Sequence, residues 1–243
     1  MIWIYNILIH ILAPIWVPMV WLKAKKRKEA PIWKERFGDY NLDLDNAQPT
    51  IWVHAVSVGE VIAAVPVLRE IKSRRPELQI VLTVTTSTGH ETARKLDEGL
   101  FDHLVYFPID VARFMWVATW RVRPKVVAIF ESELWLNFLH FAKQAGATNL
   151  LVNGRISDRS FRRSGWLLFY YQTLVEKLDR CLMQTEADAE RIRSYGAKNV
   201  EVFGNTKFDE SFVADESARQ YWRAQVGASS EDVVIVIGST RGE

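Results

Sequence analysis

From residue 50 onward, short apolar runs alternate with longer amphipathic segments, and this alternation limits the possible fold more than any other feature. The apolar runs predict strands over residues 50–55, 79–84, 104–107, 125–130, 148–153, 179–185 and 200–203. The segments between them predict helices over residues 60–73, 89–97, 110–121, 134–145, 161–177 and 186–195. Strands that alternate with helices form a mostly parallel sheet covered by helices on both faces, so the predicted class is α/β, with one domain over residues 49–212.

A further apolar run lies near the carboxyl terminus. After Asp209 the chain has a charged stretch that favours a helix, and residues 232–237 then predict a buried strand that leads into a glycine-rich turn. No helical segment follows that strand. We therefore expect residues 213–243 to be a linker and the first strand of a second, truncated domain.

The amino-terminal residues 2–22 carry no formal charge if their histidine is neutral, and the basic run of residues 23–28 follows directly. A bilayer span needs about 20 apolar residues, and aromatic ends with basic residues beyond suit an anchor whose carboxyl side is cytoplasmic. Two prolines, an asparagine and the histidine favour instead a helix embedded in one leaflet, so both arrangements stay open. We expect a membrane anchor over residues 1–22 and a basic juxtamembrane connector over residues 23–48.

Composition excludes several classes of protein. The net charge of +2 argues against a nucleic-acid partner. The single cysteine, Cys181, excludes an internal disulfide and a cysteine-based zinc cluster, and its apolar neighbours predict a buried strand position. The five histidines show no metal-binding spacing, so no metal is predicted. No Walker A loop or G-x-G-x-x-G motif follows a strand, which disfavours a nucleotide-dependent oxidoreductase.

Carboxylates follow two of the predicted strands. Glu60 opens the helix after the strand 50–55, beyond a tight turn that we assign to Ser57 and Gly59. The carboxyl ends of parallel strands form the edge at which open α/β sheets bind ligands, although an acidic residue there also simply complements the helix dipole. Glu131 and Glu133 follow the strand 125–130 and are expected on the same edge. Carboxylates gathered there repel one another unless they bind a cation, pair with a base or share a proton.

Basic residues follow two later strands. Arg155, Arg159, Arg162 and Arg163 come after the strand 148–153 and suit phosphate, which a guanidinium binds in a bidentate way. A solvated basic loop is the alternative. Lys207, after the last strand of the domain, is placed either to stabilise negative charge on a leaving phosphate or only to pair with the nearby Asp209.

Four other features admit two interpretations each. His54, on the strand before Glu60, is expected to be a core histidine rather than a base. The hydroxyls of residues 83–89 suit either helix caps or a sugar or phosphate site. The aromatic residues of 166–171 suit core packing or a face toward membrane or acyl chains. The aromatic pair within residues 32–40 closes a small core or docks the anchor on the body, and the first is preferred.

Several separated motifs, in this order along the chain, resemble those of 3-deoxy-D-manno-octulosonic acid (Kdo) transferases. They are Trp33-Lys-Glu-Arg-Phe-Gly38, His54-Ala-Val-Ser-Val-Gly-Glu60, Glu131-Ser-Glu-Leu-Trp135, Asn153-Gly-Arg-Ile-Ser-Asp-Arg-Ser160, Gly204-Asn-Thr-Lys-Phe-Asp209 and Gly238-Ser-Thr-Arg-Gly-Glu243. The resemblance covers essentially the whole chain but only the amino-terminal half or so of a family member. Residues 135–137 read Trp-Leu-Asn, whereas the family usually has Trp-Pro-Asn, a change that we expect to alter loop stiffness more than chemistry.

The resemblance implies a GT-B-type glycosyltransferase on the cytoplasmic face of the inner membrane, with residues 49–212 as its Rossmann-like acceptor-binding domain. Such enzymes transfer Kdo from CMP-Kdo to a lipid A precursor in lipopolysaccharide synthesis, without a metal or cofactor in the transfer itself. By this analogy Glu60 is the general base, and Glu131 and Lys207 stabilise the transition state. Ser57, Gly59 and the four arginines are interpreted as substrate-binding residues, the arginines contacting lipid A phosphates.

The family's CMP-Kdo site lies mainly in the carboxyl-terminal domain, which would follow Gly238. Two functions therefore remain: part of an active Kdo transferase, or a membrane-attached module that binds the acceptor without catalysis. The resemblance favours the first, because Glu60, Glu131 and Lys207 stand at their motif positions.

Overall fold

The computed structural model describes residues 1–26, 32–209 and 216–237. The chain divides into two compact units, Met1–Asp209 and Glu210–Glu243. The first holds all the predicted strands of residues 50–203, and in the described part of the second the regular element is one helix.

A seven-stranded parallel sheet forms the centre of the first unit, in the order β3-β2-β1-β4-β5-β6-β7. Its strands are β1 (Thr50–Ala55), β2 (Gln79–Val84), β3 (His103–Tyr106), β4 (Pro124–Phe130), β5 (Thr148–Gly154), β6 (Arg180–Met183) and β7 (Val200–Val202). The predicted α/β class and every strand predicted between residues 50 and 203 are confirmed. β1 and β2 are buried along their whole length, as expected for strands covered on both faces.

Helices connect the strands and cover both faces of the sheet. They are α4 (Val58–Arg74), α5 (Ser87–Lys95), α6 (Ala112–Val122), α7 (Leu136–Gln144), α8 (Asp158–Ser164), α9 (Leu168–Val175) and α10 (Glu186–Ser194). Three shorter or terminal helices, α1 (Ile2–Ile11), α2 (Ala13–Lys26) and α3 (Trp33–Arg36), precede β1, and α11 (Glu216–Gln225) lies in the second unit. One face of the sheet is packed around Trp52 and Phe138, and the other around Val53 and Leu68.

The predicted helix over residues 161–177 is wrong in its extent. The structure has α8 in its place from Asp158, then a 3-10 turn over Gly165–Leu167, then α9. α8 begins early because the Ser157 hydroxyl accepts the backbone N–H of Ser160 at 3.2 Å, which is an N-cap. Gly165 interrupts the helix, since glycine is among the poorest helix formers.

The predicted strand over residues 232–237 is also wrong. Residues 233–237 have no regular structure, and their apolar side chains are exposed. A strand is stable only when a neighbouring strand pairs with its backbone, and no other strand belongs to the described part of this unit. The terminal motif of residues 238–243 lies outside the described residues.

The first helix, α1, is held on the body of the first unit by polar contacts. The Tyr5 hydroxyl donates to Asp110 Oδ2 at 2.8 Å, and the side-chain amides of Asn6 and Asn137 exchange hydrogen bonds of 3.0 and 2.9 Å. Tyr5 also stacks on Tyr170 of α9, with ring centroids 5.8 Å apart. α1 therefore has one docked face, and its opposite face exposes Trp3, Ile4, Ile7, Leu8 and Ile11.

No single helix among the described residues is long and apolar enough to cross a bilayer. Ile2–Ile11 and Ala13–Met19 reach the required length and hydropathy only together, and they are bent by 42° at the break between them. The side chains of the basic run 23–28 lie outside the described part of the chain.

Candidate active site

The candidate site lies where the order of the strands reverses. From β1 the chain proceeds outward to β2 and β3, then returns to place β4 on the other side of β1. In open α/β sheets, ligands bind outside the carboxyl ends of the strands at such a switch point. Glu60 follows β1 and Glu131 follows β4, so the sequence-predicted carboxylates lie on either side of it.

Glu60 is buried in the first turn of α4, with 6 % of its surface exposed. One carboxylate oxygen accepts the backbone N–H of Val56 at 2.7 Å, and the other accepts the Ser57 hydroxyl at 3.0 Å. These two donors leave the carboxylate a fixed orientation. The pKa of Glu60 is raised to about 7, chiefly by burial and to a smaller extent by the charges of Glu131 and Glu133, while the two hydrogen bonds oppose the shift.

Glu60 therefore differs from an ordinary first-turn acidic residue. A carboxyl that only complements a helix dipole is exposed and remains ionised. A pKa of about 7 makes Glu60 a much better proton acceptor at neutral pH while leaving a substantial ionised fraction.

Glu131 and Lys207 form an ion pair beside this carboxylate. Lys207 Nζ lies 2.8 Å from Glu131 Oε1, and the two side chains are 37 % and 21 % exposed. Lys207 thus pairs with Glu131 rather than with Asp209. A Cβ atom added to Gly59 would lie 3.6 Å from Lys207 Nζ, so the ammonium group is next to the first turn of α4 that carries Glu60.

Asn153 and Thr206 bring Lys207 to this position. The Thr206 hydroxyl donates to the carbonyl of Ala63 in α4 at 2.7 Å, and the Thr206 N–H donates to Asn153 Oδ1 at 3.2 Å. Asn153 is buried at the end of β5 with a φ of 54°. These hydrogen bonds join three motifs that are far apart in the chain: the one that contains Asn153, the one that contains Lys207, and the one that leads into α4.

Glu131 has a left-handed backbone, with a φ of 62°. This conformation is costly for a residue other than glycine, and it persists only where the surroundings hold it. Here the Glu131 N–H donates to the carbonyl of Val152 at 3.1 Å, and the Glu131 carbonyl accepts the N–H of Arg155 at 3.3 Å. The backbone after β4 is thus held against β5, which turns the Glu131 side chain toward Lys207.

A cavity of about 430 Å³ adjoins this ion pair. Its polar lining includes Glu131, Glu133, Arg155 and Ser160, and its apolar lining comes mainly from α9 and α10. Burial raises the pKa of Glu133. The cavity presents both hydrogen-bonding and apolar surface, as sites for small polar ligands commonly do.

The four sequence-predicted arginines do not act as one cluster. Arg155 lines the cavity, whereas Arg159 and Arg162 are exposed on α8. None of these three has an ion-pair partner among the described residues. The side chain of Arg163 lies outside the described part of the chain.

The turn before Glu60 differs from the predicted one. α4 begins at Val58 with Ser57 as its N-cap residue, so Gly59 is helical rather than part of a turn. Ser57 contacts Glu60 and Gly59 lies near Lys207, which places both at the site; their substrate contacts stay a prediction. Leu136, where the family usually has proline, is the first residue of α7, a helical position that proline favours.

His54 is a core residue, as expected. It is fully buried, its ring stacks on Phe107 with centroids 3.7 Å apart, and burial lowers its pKa to about 3. The hydroxyls of residues 83–89 serve partly as caps, since Thr86 Oγ1 accepts the N–H of Gly89 at 3.1 Å. Cys181 is buried in β6, and burial raises its pKa to about 12.

The two remaining aromatic segments, residues 166–171 and 32–40, each admit two interpretations from the sequence. Tyr171 packs on Tyr195, with ring centroids 5.1 Å apart, whereas Leu167, Leu168 and Phe169 are exposed. Trp33 and Phe37 stack with centroids 5.8 Å apart, and both also line an apolar groove against α1 and α2. Phe37 is 42 % exposed, so the pair does not close a small core as preferred; it faces the amino-terminal helices, as the docking interpretation expects.

The seven-stranded parallel sheet is the Rossmann-like amino-terminal domain of the GT-B type of glycosyltransferase fold. The structure of a UDP-GlcNAc 2-epimerase from Neisseria meningitidis superposes with a TM-score of 0.52 at 11% identity, over 73% of this chain and 54% of that one. A second UDP-N-acetylglucosamine 2-epimerase gives a TM-score of 0.51 at 15% identity, over 67% and 47%. At these identities the likeness establishes the fold alone.

Residues 32–210 match the family of 3-deoxy-D-manno-octulosonic-acid transferases (Kdo transferases), so the chain belongs to that family. A 3-deoxy-D-manno-octulosonic acid transferase of Chlamydia trachomatis serovar D is 33% identical over 85% of this chain and 48% of its own. The Bordetella pertussis transferase is 31% identical over 99% and 57%. The Haemophilus influenzae transferase is 29% identical over 78% and 46%. The chain thus spans about half the length of the curated relatives it matches.

Sequence reasoning did not select Asn153 or Thr206 as site residues. Both stand inside motifs that resemble the family, but only the fold explains their role, because their hydrogen bonds join β5, α4 and the turn before Lys207. An asparagine that precedes glycine at the end of a strand was the available signal, since asparagine tolerates positive φ.

Proposed function

We propose that this chain is the acceptor-binding part of an enzyme that transfers Kdo from CMP-Kdo to a lipid A precursor, with Glu60 as the general base. The observation that carries the proposal is the environment of Glu60, which is buried at the switch point, held by two hydrogen bonds and raised in pKa to about 7. Membership of the Kdo transferase family supports the type of reaction.

In the proposed reaction, Glu60 removes the proton from a sugar hydroxyl of the acceptor. That oxygen attacks the anomeric carbon of Kdo, and the bond between this carbon and the CMP phosphate breaks. The proton remains on Glu60, and CMP leaves with the bonding electron pair. The fixed orientation of the Glu60 carboxylate supports this role because proximity and alignment provide much of the rate of such a step.

Lys207 is proposed to stabilise the charge that develops on the departing phosphate. One of its three N–H groups is used by Glu131, at 2.8 Å, which leaves two donors for a ligand. Glu131 in this arrangement positions the ammonium group next to α4. Arg155, which lines the adjoining cavity, is proposed to bind a phosphate of the acceptor, with Arg159 and Arg162 farther out on α8.

The protein is proposed to act at the cytoplasmic face of the inner membrane. The exposed apolar faces of α1 and α2 support membrane attachment, and so do the exposed Leu167, Leu168 and Phe169 at the start of α9. The docked face of α1, which carries Tyr5 and Asn6, favours a helix that lies in one leaflet over one that spans the bilayer.

The test is Glu60→Gln in the full-length protein, assayed for transfer of Kdo from CMP-Kdo to a lipid A precursor. Loss of the base is expected to lower kcat by roughly 10²–10⁴-fold, the usual contribution of general base catalysis. Glutamine keeps the shape and an acceptor for the Val56 N–H, so the unfolding midpoint should not fall. Glu70→Gln, on the exposed far end of the same helix, is the matched control. Wild-type turnover by Glu60→Gln would refute the mechanism.

A non-catalytic acceptor-binding module is the second candidate, supported by the cavity that adjoins the ion pair of Glu131 and Lys207. It predicts that the isolated chain binds a lipid A precursor and that the natural full-length product has a mass near 28.1 kDa. A much larger native product that transfers Kdo would exclude it.

A further inference from the structure

An apolar groove of about 910 Å³ separates the amino-terminal helices from the rest of the first unit. We call it the N-terminal groove. Ile9, Ala13 and Val17 form one wall, and Trp33, Phe37 and Phe114 form the other. We propose that this groove holds one acyl chain of the phosphorylated lipid acceptor, which extends the function proposed above and rests on the acceptor's being a lipid.

The lining of the groove selects hydrocarbon. Among the described residues of its lining, the polar groups are the indole N–H of Trp33 and the ring of His10, whose Nδ1 lies 2.7 Å from the carbonyl oxygen of Asn6 and is therefore engaged within α1. A polar headgroup would lose its hydrogen bonds with water and find almost none here, whereas each buried methylene contributes favourably. The volume is within the range of about 300–1,000 Å³ that is typical of sites for small organic ligands.

The groove lies beside the same edge of the sheet as Glu60, because Ile109, Val111 and Phe114 of its lining follow β3. Arg36, between the two aromatic residues of the wall, donates to the carbonyls of Phe107 and Thr85 at 3.0 and 2.6 Å, which fixes this wall to the ends of β3 and β2. β3 is the second strand from β1, a lateral distance of about 10 Å. A glycolipid with its sugar at Glu60 can therefore extend a chain into the groove.

Charge and access favour the acceptor over other occupants. Lys34 and Arg113 are exposed and adjacent in the chain to Trp33 and Phe114, so the helices that form this wall also carry cations, which suit an anionic headgroup. The helices that form the other wall expose apolar residues on their outer face, including Ile7 and Ile15, which suits entry from a bilayer.

The experiment uses the full-length protein in vesicles with an acceptor that carries a photoreactive diazirine in one acyl chain, and peptide mass spectrometry locates the crosslinks. Crosslinks are expected on Phe37 and Phe114. Ala13→Trp, which fills the groove, should lower that labelling by about tenfold, the effect of roughly two lost methylene contacts. Leu96→Trp, at an exposed apolar position after α5 that does not line the groove, is the matched control and should label like wild type. Val17→Trp, at a half-exposed position, replaces Ala13→Trp if the latter does not fold.

Kinetics separate this proposal from the failure of the proposed function. Ala13→Trp should raise KM for the acylated acceptor by about tenfold and leave KM for the deacylated, phosphorylated disaccharide unchanged. If the groove is still labelled in an enzyme that does not transfer Kdo, the proposed function is refuted and the assignment of the groove to an acyl chain stands. Three results would overturn the groove assignment. The first is labelling confined to the outer face of α1, and the second is equal labelling by a phosphatidylglycerol probe that the acceptor does not displace. The third is crosslinking between two copies of the protein.

Discussion

Glu60 and Asp110 are two buried, hydrogen-bonded carboxyl groups with a raised pKa, and they differ in what lies beside them. Burial raises the pKa of each to about 7. Glu60 lies beside an ion pair and a cavity at the switch point of the sheet, whereas Asp110 is enclosed where α1 meets the body. The comparison teaches that a raised pKa does not by itself identify a catalytic group; access to a ligand does.

The contacts of Asp110 explain the contrast. Its oxygens accept the Tyr5 hydroxyl at 2.8 Å and the backbone N–H groups of Asn137 and Phe138 at 3.1 and 2.9 Å. These N–H groups belong to the first turn of α7, so Asp110 caps that helix from a distant part of the chain. The partners of Asp110 hold α1 and α7 in place, whereas Glu60 has two donors and lies near a cavity.

The largest expected effect is the loss of folding stability caused by Asp110→Ala. It leaves the Tyr5 hydroxyl and two helix N–H groups buried without their acceptor, so the free energy of unfolding should fall by about 3–5 kcal/mol. Urea unfolding at pH 7 measures this. Asp97→Ala, in the exposed loop after α5, is the control and should cost less than about 1 kcal/mol. Stability equal to wild type in Asp110→Ala would show that α1 is not held through this carboxylate.

The pH dependence of stability sharpens the comparison. The folded pKa of both carboxyls is raised above the ordinary values of 4.5 and 3.8, so between about pH 4.5 and 7 the native state binds more protons than the unfolded state. Stability should therefore fall as pH rises through this window, by up to about 1.4 kcal/mol per pH unit for each group. Glu60→Gln should remove one part of this slope. A slope unchanged in that variant would show that Glu60 titrates normally.

Catalysis should depend on pH in the opposite direction. A protonated Glu60 cannot accept a proton, so kcat/KM of the full-length enzyme should fall by about tenfold per unit as pH drops below about 7. Asp110→Asn should keep this profile, because Asp110 has no contact with the site. A profile that shifts in Asp110→Asn and not in a Glu60 variant would reverse the roles assigned to the two groups.

Lys207→Met tests the charge beside Glu60. It removes the ammonium group and keeps much of the side-chain volume, and we expect roughly a 10²-fold loss in kcat with little change in unfolding midpoint. Lys198→Met, at an exposed position before β7, should behave as wild type. A loss expressed only in KM would assign Lys207 to substrate binding instead.

The smallest effect is expected for Tyr5→Phe. It removes one hydrogen bond to Asp110 and keeps the stacking on Tyr170, so the free energy of unfolding should fall by about 1 kcal/mol. Trp3→Phe, on the exposed face of the same helix, should leave it unchanged. A larger loss in the control would place the docked face of α1 elsewhere.

The sequence by itself determined the sheet and the edge at which the site lies. Apolar periodicity located each strand between residues 50 and 203, and the position of Glu60 and Glu131 after β1 and β4 followed from chain order alone. Local signals suffice here because the apolar spacing of strands and the residues that begin helices are read over a few neighbouring positions in the sequence.

Only the tertiary structure decided which side chains meet. The Lys207–Glu131 pair, the bridge from Thr206 to Asn153 and the separation of Arg155 from Arg159 depend on contacts between residues far apart in the chain. The break at Gly165 and the unpaired residues 233–237 have the same origin, since a helix or strand predicted from its own residues persists only where packing or pairing supports it. The pKa of Glu60 is likewise a property of burial, which no local pattern encodes.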